Sequence, residues 1–167
     1  MSSTVDLLPA NLQNSLNEII EWSNFSGAEI RVILLSTAEG VPLGRAYSKE
    51  DRNNPNLNED VLSNIESTWA PASKQFPLLN MGKEIKMVTA IYDQRTIIHV
   101  YQAPIVVTIL VGGATANLGA VRSTAVPLLK QVLEPLCTTL LDSLAPVDSS
   151  DAGPAGVIPY QQHGYYQ

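Results

Sequence analysis

Leu12, Leu16, Ile19 and Ile20 recur at helical spacing, with asparagine and glutamate between them. The spacing predicts an amphipathic helix over about residues 10–24, with Pro9 near its start and Ser26-Gly27 at its end. From Glu29 to Ser36 the pattern changes. Ile30, Val32, Ile33, Leu34 and Leu35 form a nearly continuous apolar run, which predicts a strand covered on both faces. Ala38-Glu39-Gly40 turns the chain, and Val41–Tyr47 returns as the hairpin partner. Pro42 has no amide to donate, so this partner belongs at a sheet edge or starts its strand at the proline. After a polar loop over 48–58, Val61, Leu62, Ile65, Trp69 and Ala72 line one side of a second helix over about 59–75. Asn58 is placed to cap it, Glu59 and Asp60 suit its first turn, and Pro71 bends or shortens its last turn.

Beyond a turn region at 77–82, residues 84–92 and 95–101 read as two strands joined by Asp93-Gln94. Gln102-Ala103-Pro104 reverses the chain into Ile105–Val111. The only polar residue of that run is Thr108, which predicts a place at the sheet centre. Small residues follow at 112–116, and Asn117 can cap a final helix to about Leu144, divided or kinked at Pro127 and Pro135. The order is α-β-β-α-β-β-β-α, an α+β sandwich with one five-stranded, mostly antiparallel sheet. Residues 1–9 are expected to be a flexible lead and 10–145 the domain. The segment 146–167, rich in Pro, Asp, Ser, Gly, Gln and Tyr, is expected to be a disordered tail.

Composition narrows the function. The 167 residues, 45% of them apolar, suffice for one core. A net charge of -6 with scattered Lys and Arg argues against nucleic acid as the main partner. One cysteine excludes an intramolecular disulfide and a Cys-rich zinc site, and His99 and His163 lie far apart in sequence. The greasiest run, Ile105–Val111, is too short to cross a bilayer. No basic segment precedes an apolar leader, no glycine follows Met1, and no prenylation cysteine ends the chain. These features predict a cytosolic chain that reaches a membrane only through another protein.

The search for chemistry finds no nucleophile and base in a recognisable pattern. Gly112-Gly113-Ala114-Thr115-Ala116-Asn117-Leu118-Gly119 lies between strand and helix, but Ala120-Val121 stand where a phosphate loop needs Lys and Ser or Thr. The glycine spacing of dinucleotide sites is absent too. The loop reads as small residues letting a helix start close to the sheet. A small nucleotide-binding enzyme at this loop is the alternative of a different class. His99, mid-strand, reads as a satisfied core or interface histidine and Cys137 as a buried, inert thiol. Glu50, Asp51, Glu59 and Asp60 lack the EF-hand pattern and read as solvated acids. The expectation is a non-catalytic protein with no cofactor and no metal.

Surfaces remain. The strand 84–92 carries few charges, with Ile85, Met87, Thr89 and Ile91 on one face, and at a sheet edge it would invite pairing with another chain. The second helix offers Trp69 beside Leu62 and Ile65, and Trp is a favoured interface anchor. Ordinary core packing explains either pattern equally well.

Several strings in register on this element order resemble the roadblock (dynein light chain) superfamily. They are Glu39-Gly40-Val41-Pro42, Leu62-Ser63, Ala72-Ser73-Lys74-Gln75, Asn80-Met81-Gly82-Lys83, Pro104, Val106-Val107, Ala116-Asn117-Leu118-Gly119 and Leu133-Glu134-Pro135-Leu136. The likeness spans roughly Gly27 to Leu144, and within the superfamily it is similar to the MEK-partner scaffold type of the Ragulator (LAMTOR) complex. The resemblance implies a sandwich without catalytic residues. It implies dimers formed by pairing third strands into one sheet and packing second helices together. It further implies a second roadblock-type subunit as partner and a lipid-anchored Ragulator subunit that holds the pair on late endosomes or lysosomes. Rag GTPases, TORC1 signalling and a MEK–ERK module are the implied clients. A motor light chain or a GTPase-regulating homodimer is the alternative within the same fold.

Overall fold

The computed structural model describes residues 8–113 and 115–145. The expected flexible lead, apart from its last two residues, and the expected tail lie outside the described residues. Helix α1 (Ala10–Phe25) buries Leu12, Leu16, Ile19 and Ile20, the residues whose spacing predicts it. Strands β1 (Ile30–Thr37) and β2 (Pro42–Tyr47) form the first hairpin, turned at Gly40 with φ +89. A 3-10 turn at Pro55–Leu57 leads to α2 (Glu59–Ser67), whose first turn is capped by the Asn58 side chain accepting from the Val61 amide.

The expected single helix over 59–75 is two helices, α2 and α3 (Trp69–Gln75), broken at Thr68. Pro71 is the cause: it lacks the amide that would reach the carbonyl of Ser67, and its ring crowds that carbonyl. Strand β3 (Met87–Ile91) is shorter than expected and Ile85 falls outside it. Its pairing with β4 (Thr96–Gln102) ends at Lys86, whose carbonyl accepts from the Tyr101 amide, although the register would set Ile85 opposite Gln102, the last residue of β4.

Strand β5 (Ile105–Val111) is wholly buried at the middle of the five-stranded antiparallel sheet, ordered β2-β1-β5-β4-β3. The last helical stretch comprises α4 (Leu118–Ala120), a π-helical turn at Val121–Ala125 and α5 (Val126–Leu144). The wide turn comes directly before Pro127. Pro135 does not divide α5, because it and Gln131, whose carbonyl it leaves unbonded, are both solvent-exposed.

One face of the sheet (Ile33, Leu35, Ile98, Val100, Val107 and Ile109 among others) packs against α1 and α5. The other face packs Val32, Leu34 and Leu110 against Leu57 and Leu62. Two sheet borders remain, β2 and β3.

Candidate functional site

β3 has a strand on one side only. The Lys86 carbonyl pairs with the Tyr101 amide, and the Tyr92 amide donates to the Arg95 carbonyl at 2.8 Å. Antiparallel pairing alternates, so Lys86, Val88, Ala90 and Tyr92 spend their main-chain groups on β4. The N–H and C=O groups of Met87, Thr89 and Ile91 therefore point outward. Ile91 is 72% exposed, and Tyr92, Phe76, Leu78, Leu79 and Met81 are also exposed. A cleft of about 350 Å³ runs between β3 and the Phe76–Met81 segment, with Ile85, Met87 and Thr89 on its wall. An open strand border next to exposed apolar side chains is the arrangement that a further strand can extend.

The sequence-selected residues divide in two. Met87, Thr89 and Ile91 lie together on β3, with half-buried Ile85 just before it. Met87 also touches the core beneath. Ile65 is half-buried against the second core cluster. Leu62 is fully buried and Trp69 is 3% exposed. Trp69 is thus no open anchor. It stacks on Tyr101, ring centroids 5.6 Å apart, and sits 6.1 Å from the His99 ring, because β4 turns those two residues toward α3. Its work is to seat α3 on the sheet.

His99 fastens the same junction. Thr68 Oγ1 donates to the Ile65 carbonyl at 2.7 Å, so at 2.8 Å from His99 Nε2 it accepts. The imidazole then carries its proton on Nε2, and Nδ1 accepts from Thr108 Oγ1 at 2.8 Å. Burial pushes its pKa down to about 4, keeping it neutral. Cys137 is buried, with Sγ 3.6 Å from the Gln102 carbonyl, and burial pushes its thiol up. Neither group is paired, among the described residues, with a partner that would activate it. Among the same residues no cluster of His, Cys, Asp or Glu is placed to hold a metal, and no helix is long and apolar enough to cross a membrane.

Sequence reading missed the Phe76-Pro77-Leu78-Leu79-Asn80-Met81 segment, treating most of it as a turn. The available signal was its apolar content in a stretch with no strand or helix period to bury it. It also missed Trp22 and Phe25, exposed on the outer side of α1.

The fold is that of roadblock/LC7 domains. The gliding protein MglB from Thermus thermophilus superposes with a TM-score of 0.59 at 17% identity, over 78% of this chain and 97% of that one. MglB of Myxococcus xanthus gives 0.55 at 11%, over 80% and 97%. The roadblock/LC7 domain from Streptomyces avermitilis gives 0.55 at 11%, over 72% and 96%. The family is narrower: residues 10–139 match the model of the mitogen-activated protein kinase kinase 1 interacting family, and the chain belongs to it. No curated protein matches by sequence. The family is described by an interaction with a kinase, which is an adaptor type of description.

Proposed function

We propose that this chain is a non-catalytic scaffold subunit that heterodimerises with a second roadblock-type subunit. The β3 strands of the two subunits pair into one continuous sheet, and their α2 helices approach across the junction. Met87, Thr89 and Ile91 supply the pairing border, while Ile65 and Ile85 flank it. Leu62 and Trp69 act from below by fixing the helices. The observation that carries this reading is the outward-facing main chain of β3 beside exposed Ile91, Tyr92, Leu79 and Met81. Membership of a family described as interacting with mitogen-activated protein kinase kinase 1 supports a signalling role. Resemblance to the Ragulator type extends the reading to a lipid-anchored subunit, Rag GTPases, TORC1 and MEK–ERK signalling at late endosomes or lysosomes.

The test is purification of the tagged chain from native cytosol, with partners identified by mass spectrometry. A second roadblock-fold subunit should co-purify in equal amount. Thr89→Pro removes one outward donor and none of those facing β4, so it should lower partner recovery at least about tenfold while the chain stays folded. Undiminished recovery with Thr89→Pro would remove β3 from the interface. One related structure is described as MglB in a tetrameric arrangement, which favours self-assembly as the second reading. Sedimentation of the chain alone separates the two: a stable dimer without partner selects the homodimer.

A further inference from the structure

The register of β1 against β5 slips between Ile30 and Val32, leaving Arg31 as the extra residue of a β-bulge. Bulges re-aim side chains, and this one sends the Arg31 guanidinium to Asp51, Nη1 to Oδ2 at 3.2 Å. Asp51 is fully engaged. Its Oδ2 also accepts from Ser48 Oγ at 2.8 Å, its Oδ1 accepts from Asn54 Nδ2 at 2.8 Å, and its side chain is 4% exposed. It therefore fixes Arg31 in place through a single nitrogen. The same Nη1 lies 3.9 Å from Oε2 of exposed Glu50, and among the described residues Nε and Nη2 of that guanidinium have no partner.

A polar cleft of about 200 Å³ opens here, walled by Arg31, Asp51, Asn54, Arg95, Gly112 and Gly113. Arg95 comes from the far end of the β3–β4 turn. It is half-buried, and its side chain has no ion pair or hydrogen bond among the described residues. Gly113 brings bare main chain to the wall, since a Cβ there would stand 3.2 Å from the Gln94 carbonyl oxygen. Two arginines thus wall the cleft, Arg95 without an ion pair, beside Asp51, whose two oxygens both accept hydrogen bonds; the carboxylates of exposed Glu50, 3.9 Å from Arg31 Nη1, and of Glu29, against Gly112, lie at its margin. Recessed positive charge with low-dielectric walls concentrates anions. Guanidinium forks match the oxygens of phosphate. The space is below the roughly 300 Å³ at which ordinary small-molecule pockets begin, so it takes one phosphoryl group and no nucleoside.

We propose that this cleft binds a phosphoryl dianion, supplied either as inorganic phosphate or as the phosphate of a phosphorylated serine on a partner. It is separate from the pairing border and does not depend on the dimer reading. It also differs from the glycine-loop phosphate site considered from sequence, because its cations come from β1 and the β3–β4 turn.

The full chain is titrated with sodium phosphate at constant ionic strength, following the Gly112 and Gly113 amides and the Arg95 Nε–H by NMR. Saturable shifts with a dissociation constant of about 1 mM are expected. Arg95→Gln, which removes no ion pair or side-chain hydrogen bond among the described residues, should weaken binding at least about tenfold, while Arg122→Gln on the exposed π-helical turn should leave it unchanged. A phosphoserine tripeptide binding more tightly than phosphate identifies a phosphorylated partner as the source, and equal affinity identifies the free ion. Shifts that fail to saturate, that persist in Arg95→Gln, or that fall equally in Arg122→Gln would overturn the site.

Discussion

β2 and β3 are the two borders of one sheet, and the chain treats them in opposite ways. On β2 the Arg45 carbonyl faces outward, and Gln13 Nε2 of α1 donates to it at 2.9 Å. The Arg45 side chain turns inward, donating through Nη2 to Glu66 Oε2 at 2.6 Å and through Nε to Glu66 Oε1 at 3.2 Å, with Glu59 on Nη1. Pro42 removes a donor at the strand's start. On β3 no such device exists among the described residues, and exposed apolar side chains adjoin the outward amides. Inward charges, covering side chains and proline are how proteins keep strand edges from pairing. Their presence on one border and absence from the other mark β3 as the border meant to be completed.

The largest expected effect concerns how β2 is closed. Burial works against the Arg45 charge, and the carboxylates of Glu66 and Glu59 more than offset it, so its pKa is raised. Arg45→Ala leaves the fully buried Glu66 without its cation, which should cost about 3–5 kcal/mol in urea denaturation. Arg45→Met combined with Glu66→Leu should recover most of that loss. A single-variant cost near zero would show that the ion pair is not what ties β2 to α2.

Next comes pH, acting at the junction that supports the open border. Folded His99 titrates near 4 against about 6.5 unfolded. Between these values the unfolded chain binds the extra proton, so stability falls as pH drops from 6.5 toward 4, by up to about 3 kcal/mol. Asp51 acts lower. Burial raises its pKa, but hydrogen bonds from Asn54, Ser48 and Arg31 outweigh this and lower it. Its contribution is complete above about 3.9 and is lost as pH falls through the folded value. His99→Gln should flatten the first window alone, measured as urea midpoint against pH.

Gly40 sets the next magnitude. It joins β1 to β2 with φ +89, and a Cβ there would lie 2.9 Å from the Ser67 Cα at the end of α2. Gly40→Ala combines left-handed strain with that overlap and should cost about 2 kcal/mol or more in thermal or urea unfolding. A neutral result would mean that the closed border tolerates displacement of α2.

The element order and the centre of the sheet were legible because burial on both faces leaves unbroken apolar runs, as in β1 and β5. Pro42 also marked an edge in plain view. Trp69 was not legible: a tryptophan on an apolar helical stripe suits core and interface alike, and His99 and Tyr101 on β4 decide between them. The place of Ile85 outside β3 is not legible either: composition does not reveal where ladder pairing ends, here at Lys86, one residue before β4 itself runs out. Arg45 and Glu66 lie 21 residues apart, and each alone reads as a solvated charge. Only the packing of α2 on β2 brings them together.

The smallest effect is the sharpest test of the comparison. Gln13→Ala removes the side chain that occupies the outward Arg45 carbonyl. Water can replace that hydrogen bond at a border, so the cost should be about 1 kcal/mol. If cover by Gln13 were all that distinguishes β2 from β3, this variant would acquire a second pairing border and sediment as a larger species. It should not, because Pro42 and the inward Arg45 pair remain, and beside β2 in the chain Val41 alone is an exposed large apolar residue, against Ile91 and Tyr92 at β3 and Phe76, Leu78, Leu79 and Met81 in the segment before it. Concentration-dependent sedimentation of Gln13→Ala beyond that of the parent chain would show that hydrogen-bond cover alone keeps an edge closed. Unchanged sedimentation would show that an open border needs apolar flanks as well as free amides.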